Sequence, residues 1–265
     1  LLDKFYTNVD VAIKLIKIAD DKIGMNNYTI IEPSAGDGSF SNYLLDNFDD
    51  VLAYDIKPEN KSIIKKDYFT FKADENKKYV VIGNPPFGHI SSLAYKFLDY
   101  SMNYADYVCF LIPRTFKRYS ILKKINKNFH LIHQEDLPIG VFIPSSMMAK
   151  TVFQIWEKRD YLRIIPVLND ISNDFTVLSI ENRLSADFAV RAYGSNCGEI
   201  KFNIPDLAPK SWHFIKSNIE INLLIHYIKK IDFSFSKDTV RQDSVGKKEL
   251  IHYYNILNPP SKGLN

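Results

Sequence analysis

The sequence predicts an α/β fold: a mainly parallel sheet flanked by helices, followed by a smaller domain of mixed structure. Three observations predict it. Short apolar runs alternate with amphipathic stretches through residues 1–158, the pattern of strands joined by crossover helices. Several of those runs stop abruptly at glycine, proline or aspartate, as strands do at the edge of such a sheet. Near Arg159 the regular alternation ends, so residues 159–265 read as a second domain.

The elements follow in order. Val9, Ala12, Ile13 and Ile16 recur at helical spacing within Val9–Ala19. Tyr28–Ile31 is a short β-rich run ending in Pro33-Ser34-Ala35-Gly36-Asp37-Gly38, and Ser39–Phe48 then reads as a helix. Val51–Tyr54 is a strand ending at Asp55, and Ile63-Ile64 with Asp67 forms a short connector. Tyr79–Ile82 is a strand stopped by Gly83-Asn84-Pro85-Pro86; Leu93–Tyr104 is helical; Tyr107–Ile112 is a strand stopped by Pro113. Phe129–His133 and Thr151–Trp156 add two strands. Beyond Arg159, strands are expected at Arg163–Leu168, Phe175–Leu178, Phe188–Arg191 and Glu199–Phe202, the last two flanking a turn cluster at 194–198. Asn218–Ile231 has helical spacing. In sheets of this kind ligands bind at the carboxyl ends of the strands. The turns after Ile31, Tyr54, Ile82 and Ile112 share that edge, and so do the polar signals.

Composition sets bounds. Hydrophobic residues make up 46% and charged residues 25% of the 265, the balance of a globular chain able to bury a large core. The net charge of +3 is too small to argue for nucleic acid by itself. Cys109 lies inside an apolar run and Cys197 far from it, so neither a disulfide framework nor zinc spacing is present; a buried thiol at Cys109 and a reducing cytoplasm are expected. No apolar run is long enough to cross a membrane, and no signal peptide is recognisable. The chain opens at Leu1-Leu2 without a methionine, as a missing or trimmed start would, and closes at Pro259–Asn265 in a tail or a truncation.

The chemistry concentrates in a few turns. Glu32-Pro33-Ser34-Ala35-Gly36-Asp37-Gly38 follows a strand and opens a helix, where glycines let the backbone pass close to a ligand. Taken alone it is equally a tight turn. Asp55, at the end of the next strand, stands where an acid can accept from ribose hydroxyls, or cap a turn. Asp67 with Tyr68 could recognise an adenine ring by its amino group and its face, or simply close a turn. Asn84-Pro85-Pro86-Phe87 carries the most information. Two prolines remove backbone donors and stiffen the chain, leaving the Asn84 side-chain oxygen and the Pro85 carbonyl as fixed acceptors for an NH2 group. Phe87 offers a stacking face. Drawing the amine protons out of conjugation would expose the nitrogen lone pair to an electrophilic methyl.

The two motifs together, with Asp3-Lys4-Phe5-Tyr6-Thr7 ahead of them and a variable domain after them, resemble the gamma-class N6-adenine DNA methyltransferases of bacterial restriction–modification systems. The resemblance covers about residues 3–158. It implies a seven-stranded, mainly parallel, Rossmann-like class I methyltransferase sheet as catalytic domain 1–158, and a smaller α+β target-recognition domain 159–265. It implies S-adenosyl-L-methionine as cofactor, with Phe5, Tyr6, Thr7, Glu32, Ser34, Gly36 and Gly38 around its methionine part, Asp55 on the ribose, and Asp67 with Tyr68 at its adenine. Asn84, Pro85, Pro86 and Phe87 would hold an adenine flipped out of duplex DNA, with Asn84 also bordering the cofactor. Phe142 is a candidate second ring against the base, or a core aromatic. A monomer, without metal or membrane, and in some systems a cognate restriction endonuclease, complete the expectation. The same motif occurs in RNA adenine methyltransferases; methylation of a protein glutamine amide, also a planar NH2 group, is a second rival, and a catalytically silent binding subunit a third.

Arg114, Lys117, Arg118, Lys123, Lys124 and Lys127 form a basic stretch with no acid between Asp106 and Glu135. It reads as a phosphate contact or as a solvated helix. The six histidines make no metal or triad spacing; His89 is at most a backbone or substrate contact.

Overall fold

The computed structural model describes residues 5–143 and 148–259. Asp3, Lys4, Pro144 and residues 260–265 lie outside the described residues. The chain divides into two compact units, 1–165 and 166–265.

The first unit is built on a seven-stranded sheet. Its strands are β2 (Thr29–Glu32), β3 (Val51–Asp55), β4 (Ile64–Lys65), β5 (Tyr79–Gly83), β6 (Tyr107–Pro113), β7 (Phe129–Asp136) and β9 (Thr151–Lys158), while β1 (Tyr6–Thr7) and β8 (Phe142–Ile143) pair separately. The order is β4-β3-β2-β5-β6-β9-β7. All neighbours from β4 to β6 run parallel, and β9 is antiparallel to both β6 and β7. This is the seven-stranded, mainly parallel sheet anticipated from the sequence. The chain winds outward from β2 to β4 and then returns to β5 on the other side of β2. The order therefore reverses between β2 and β5, and a crevice opens at their carboxyl ends.

Helices cover both faces. In α3 (Ser92–Ser101), Ala94, Phe97 and Leu98 pack on Ile31, Val81, Val108, Phe110 and Ile112. The alternate residues Ile30, Val80, Ile82, Cys109 and Leu111 point to the opposite face and are equally buried. Such continuous apolar strands belong to a sheet covered on both sides. Helix α1 (Val9–Ile23) starts at Asn8, whose Oδ1 accepts from the Asp10 and Val11 amides, and stops at Gly24 in the left-handed region. Its buried stripe is Ala12, Leu15, Ile16 and Ala19; Val9 is exposed. Helices α2 (Ser41–Asn47) and α4 (Tyr119–Leu122) are short. Cys109 is fully buried, and burial pushes its thiol far above the ordinary range.

The strand expected at Arg163–Leu168 is absent. Its apolar residues find no partner strand: Ile164 is 92% and Val167 83% exposed. Arg163 instead ties the segment to the first unit through the Phe129, Leu122 and Ile125 carbonyls. The first compact unit extends through Ile165.

The second unit has a four-stranded antiparallel sheet, β10 (Phe175–Val177), β11 (Phe188–Arg191), β12 (Ile200–Lys201) and β13 (Trp212–Ser217), in the order β10-β13-β11-β12. Its core joins Phe188, Val190 and Ile215 to α5 (Ile221–Ile228) and α6 (Lys247–Leu257). Strand β13 and helix α6 were not anticipated from the sequence. In β13 a polar pair, His213 and Lys216, breaks the apolar alternation. In α6 the amphipathic signal is diluted by Tyr253, Asn255 and exposed Ile256.

Candidate functional site

A cavity of about 370 Å³ lies at the carboxyl ends of β2, β3 and β5, within the size range of small-ligand clefts. It is lined by Phe5, Tyr6, Thr7, Glu32, Ser34, Gly36, Asp55, Asp67, Tyr68, Asn84, Pro85, Pro86 and Phe87, so residues drawn from five separate stretches meet at one place. Gly38 is outside the lining; its φ of 101° shapes the turn below it.

The glycine turn is held from two sides. Gly36 sits at φ 54°, and a Cβ there would come within 2.9 Å of the Tyr6 ring, so only glycine admits the ring. Its amide donates to Asp55 Oδ2 at 2.9 Å, while Asp55 Oδ1 accepts from the Lys57 amide at 2.7 Å. Asp55 thus caps two turns at once, and both oxygens keep a lone pair. Asp67 Oδ1 accepts from the Phe69 amide, capping a tight turn over Tyr68–Thr70. That turn sends successive side chains apart. Tyr68 is 1% exposed, stacked on Phe97, with its hydroxyl in contact with Ser101 and Tyr104. Phe69 stays half-buried at the cavity wall, braced edge-on by Phe97 and Tyr100, with Lys96 Nζ 4.5 Å from its centroid. Tyr68 and Phe69 both line the cavity, whereas the sequence reading pairs Asp67 with Tyr68 and does not carry Phe69 into the site. Its adjacency to Asp67 was the available signal.

The strip Asn84–Phe87 leaves β5 directly above Glu32. Gly83, at φ 154°, leaves room there: a Cβ would press Glu32 Cγ at 3.2 Å. The Asn84 Nδ2 donates to the Phe5 carbonyl at 3.0 Å, which fixes which end of the amide is oxygen. Asn84 Oδ1 is buried without a hydrogen-bond partner among the described residues. The Asn84 backbone carbonyl accepts from Ser34 Oγ at 3.2 Å. The Phe87 carbonyl accepts from the Leu93 and Ala94 amides, anchoring the strip to α3. Phe142 is 1% exposed and meets Phe87 edge-on, centroids 6.0 Å apart at 77°. That is the packing of a core ring supporting Phe87, not of a second platform. His89 is exposed just beyond this strip.

Two further atoms complete the picture. Glu32 is 2% exposed, with Oε2 unpartnered, and Thr7 Oγ1 is likewise buried and unpartnered. Burial, reinforced by the charge of Asp37, pushes the Glu32 carboxyl well above the usual range. Buried polar atoms without partners are costly, and three of them sit on residues of one cavity wall. A bound ligand or ordered water would complete such atoms. The lining carries Glu32, Asp37, Asp55 and Asp67 against the single cation Lys57, which favours a cationic ligand and disfavours a phosphate on the glycine turn.

The basic stretch is not a continuous cationic face. Arg114 Nη2 donates to the Leu137 carbonyl at 2.8 Å and its Nε to Thr151 O at 3.3 Å. Asp136, from β7, sits 3.6 Å from Arg114 and 3.1 Å from Lys117. Strand pairing thus supplies the acid that the sequence run lacks. Lys123, Lys124 and Lys127 remain exposed. Arg114→Ala is expected to lower unfolding free energy by about 1–3 kcal/mol in denaturant titration, because the Leu137 carbonyl loses its donor. Its salt dependence of nucleic-acid binding should match the wild type; a reduced slope would show Arg114 on phosphate instead. Among the described residues no group of three or more His, Cys, Asp or Glu is arranged to hold a metal, and no helix is long and apolar enough to cross a membrane.

No protein-family model and no curated protein matches the chain. Solved structures do resemble it. A Pyrococcus horikoshii protein provisionally assigned as an RNA methyltransferase is 19% identical, with a TM-score of 0.49 over 60% of this chain and 88% of that one. The modification subunit of a provisionally assigned type I restriction enzyme from Vibrio vulnificus is 14% identical, with a TM-score of 0.47 over 92% of this chain and 59% of that one. Magnesium protoporphyrin IX methyltransferase from Synechocystis, solved with S-adenosylmethionine bound, is 13% identical, with a TM-score of 0.41 over 57% and 77%. At such distances the fold rests on the strand order above, and the reading of function on the cavity.

Proposed function

We propose that the chain is an S-adenosylmethionine-dependent methyltransferase acting on the N6 amino group of adenine in DNA. The observation that carries this reading is the Asn84 amide, pinned through its nitrogen to Phe5 so that its oxygen stays buried and unpartnered beside Pro85 and Phe87. A fixed acceptor next to a donor-free proline and an aromatic face suits a planar heterocycle bearing an NH2 group.

The cavity fits the cofactor on its own chemistry. Glu32 and the Gly36 turn would hold the charged methionine part, Asp55 the ribose hydroxyls, and Asp67 with Phe69 the adenine. When bound, S-adenosylmethionine supplies an electrophilic methyl on a positively charged sulfur, a charge that the four acidic residues of the lining favour. The residues of the chain do the rest. Asn84 Oδ1 and the Pro85 carbonyl accept the two N6 protons and draw them out of the ring plane. Phe87 supports the base face, and the strip's attachment to α3 keeps these groups in place. The base must leave the duplex to reach them. The proton displaced from N6 passes to solvent.

The second unit serves, in this reading, as the target-recognition domain, and the arrangement of motifs favours DNA over RNA. A tritiated-methyl transfer assay offering duplex DNA, total RNA and a protein extract in parallel, followed by nucleoside analysis, tests it. N6-methyladenine in DNA is expected. Label confined to RNA or protein would transfer the same chemistry to another substrate. Absence of both label and cofactor binding would sink the reading.

A further inference from the structure

We infer that the N-terminal strap Phe5–Thr7 is the positioning device for Asn84, and that the Tyr6–Glu59 hydrogen bond holds the strap in its working place. The inference rests on the methyltransferase reading and goes beyond it by assigning to Tyr6 and Glu59 a positioning role in the transfer.

The strap is a small element. Among the described residues it pairs with β8 at Tyr6 with Ile143 and Thr7 with Phe142, and the Phe5 ring meets Phe142. The Asn8 amide, just after it, donates to the Val141 carbonyl at 2.8 Å. On its other side, the Phe5 carbonyl accepts the Asn84 side-chain amide at 3.0 Å. Beyond this the Tyr6 ring lies on Gly36, and its hydroxyl donates to Glu59 Oε1 at 2.6 Å. The Glu59 amide in turn donates to the Gly36 carbonyl at 3.0 Å. Strap, glycine turn and the segment after β3 are thereby closed into one ring of contacts at the cavity wall.

The consequence lies at Asn84. An amide can rotate about χ2 by half a turn at little cost, exchanging oxygen for nitrogen. The Phe5 carbonyl is the partner that decides between the two. If the strap moves away, the amide loses that partner and its oxygen no longer has a fixed direction. An acceptor of uncertain direction forfeits the preorganisation on which transfer relies. Phe5, Tyr6 and Thr7 also wall the cofactor cavity, so the segment that closes on the cofactor is the one that sets the acceptor for the target amine. The Asn84 acceptor is therefore complete only when the strap is closed.

Three variants test this, Tyr6→Phe, Glu59→Ala and Glu59→Gln. The last keeps an oxygen that can accept from the Tyr6 hydroxyl. Two readouts are used: methyl transfer measured over a range of cofactor and DNA concentrations, including single turnover at saturation, and the side-chain 15N–1H amide signals of Asn84 in cofactor-free protein, assigned by their loss in Asn84→Ala. Tyr6→Phe and Glu59→Ala are expected to slow transfer about 10-fold with the KM for DNA unchanged, and to shift the Asn84 signals. Glu59→Gln is expected to retain both the rate and the signals. Unmoved Asn84 signals, or an effect confined to the cofactor KM, would overturn the inference. If wild-type protein methylates nothing yet the Asn84 signals still move in Tyr6→Phe, the coupling stands and the functional reading fails.

Discussion

Asn84→Ala is expected to lower the single-turnover rate about 10²–10³-fold, the usual cost of removing one preorganised group that meets developing charge. Affinity for the cofactor should fall far less. Among the described residues the side chain makes one hydrogen bond, to the Phe5 carbonyl, so its loss disturbs the fold little. What disappears is the single side-chain acceptor fixed beside the Phe87 face. Asn84→Asp is a sharper variant. It keeps an acceptor but cannot donate to Phe5, and two oxygens would then face each other. Activity near wild type in the alanine variant, measured with saturating S-adenosylmethionine and DNA, would remove Asn84 from the chemistry.

Glu32→Gln should produce two effects of opposite direction. The carboxyl is buried under the cavity floor, and burial together with Asp37 raises its pKa well above 4.5. In the unfolded chain the group ionises near that ordinary value. Between 4.5 and the raised folded value the folded protein holds a proton that the unfolded chain has lost. Rising pH therefore favours unfolding through that window, and the penalty stays at higher pH. Glutamine carries no such penalty. Without cofactor, the variant should melt higher than the wild type near pH 8, with little difference near pH 4. Cofactor binding should move the other way. An anionic Glu32 paired with the cofactor's amino group contributes roughly 1.5–3 kcal/mol, so the variant should bind about 10–100-fold more weakly. The wild-type affinity should rise with pH, since pairing requires the carboxylate, while the variant's should not. Calorimetric titration with S-adenosylmethionine at several pH values reads both. Equal affinity in the two proteins would place the cofactor's amino group elsewhere.

The sheet was legible because its strands are buried on both faces. Thr29–Glu32, Tyr79–Gly83 and Tyr107–Pro113 each form a compact apolar block ended by a turn. Where burial was one-sided or absent, the pattern misled. Arg163–Leu168 has the apolar content of a strand, yet Ile164 and Val167 stand in solvent and Arg163 ties the segment down through three backbone carbonyls. Within the second unit, β13 and α6 hold their places through the core they share, which local alternation does not encode.

The candidate site divides in the same way. The sequence by itself determined which residue types stand after β2, β3 and β5, because glycines, prolines and acids act through their own backbone limits and side-chain chemistry. Tertiary structure alone decided their use. It buried Tyr68 against Phe97 and left Phe69 half-buried, with both on the cavity wall, where a linear reading pairs Asp67 with Tyr68 alone. It brought Asp136 across from a distant strand to neutralise Lys117 and anchor Arg114. It laid Phe142 edge-on behind Phe87, and it tied Tyr6 to Glu59 and Asn84 to Phe5, residues 53 and 79 positions apart. Contacts of that kind depend on the direction and distance of side chains in space. Those are fixed only once the strands have found their order.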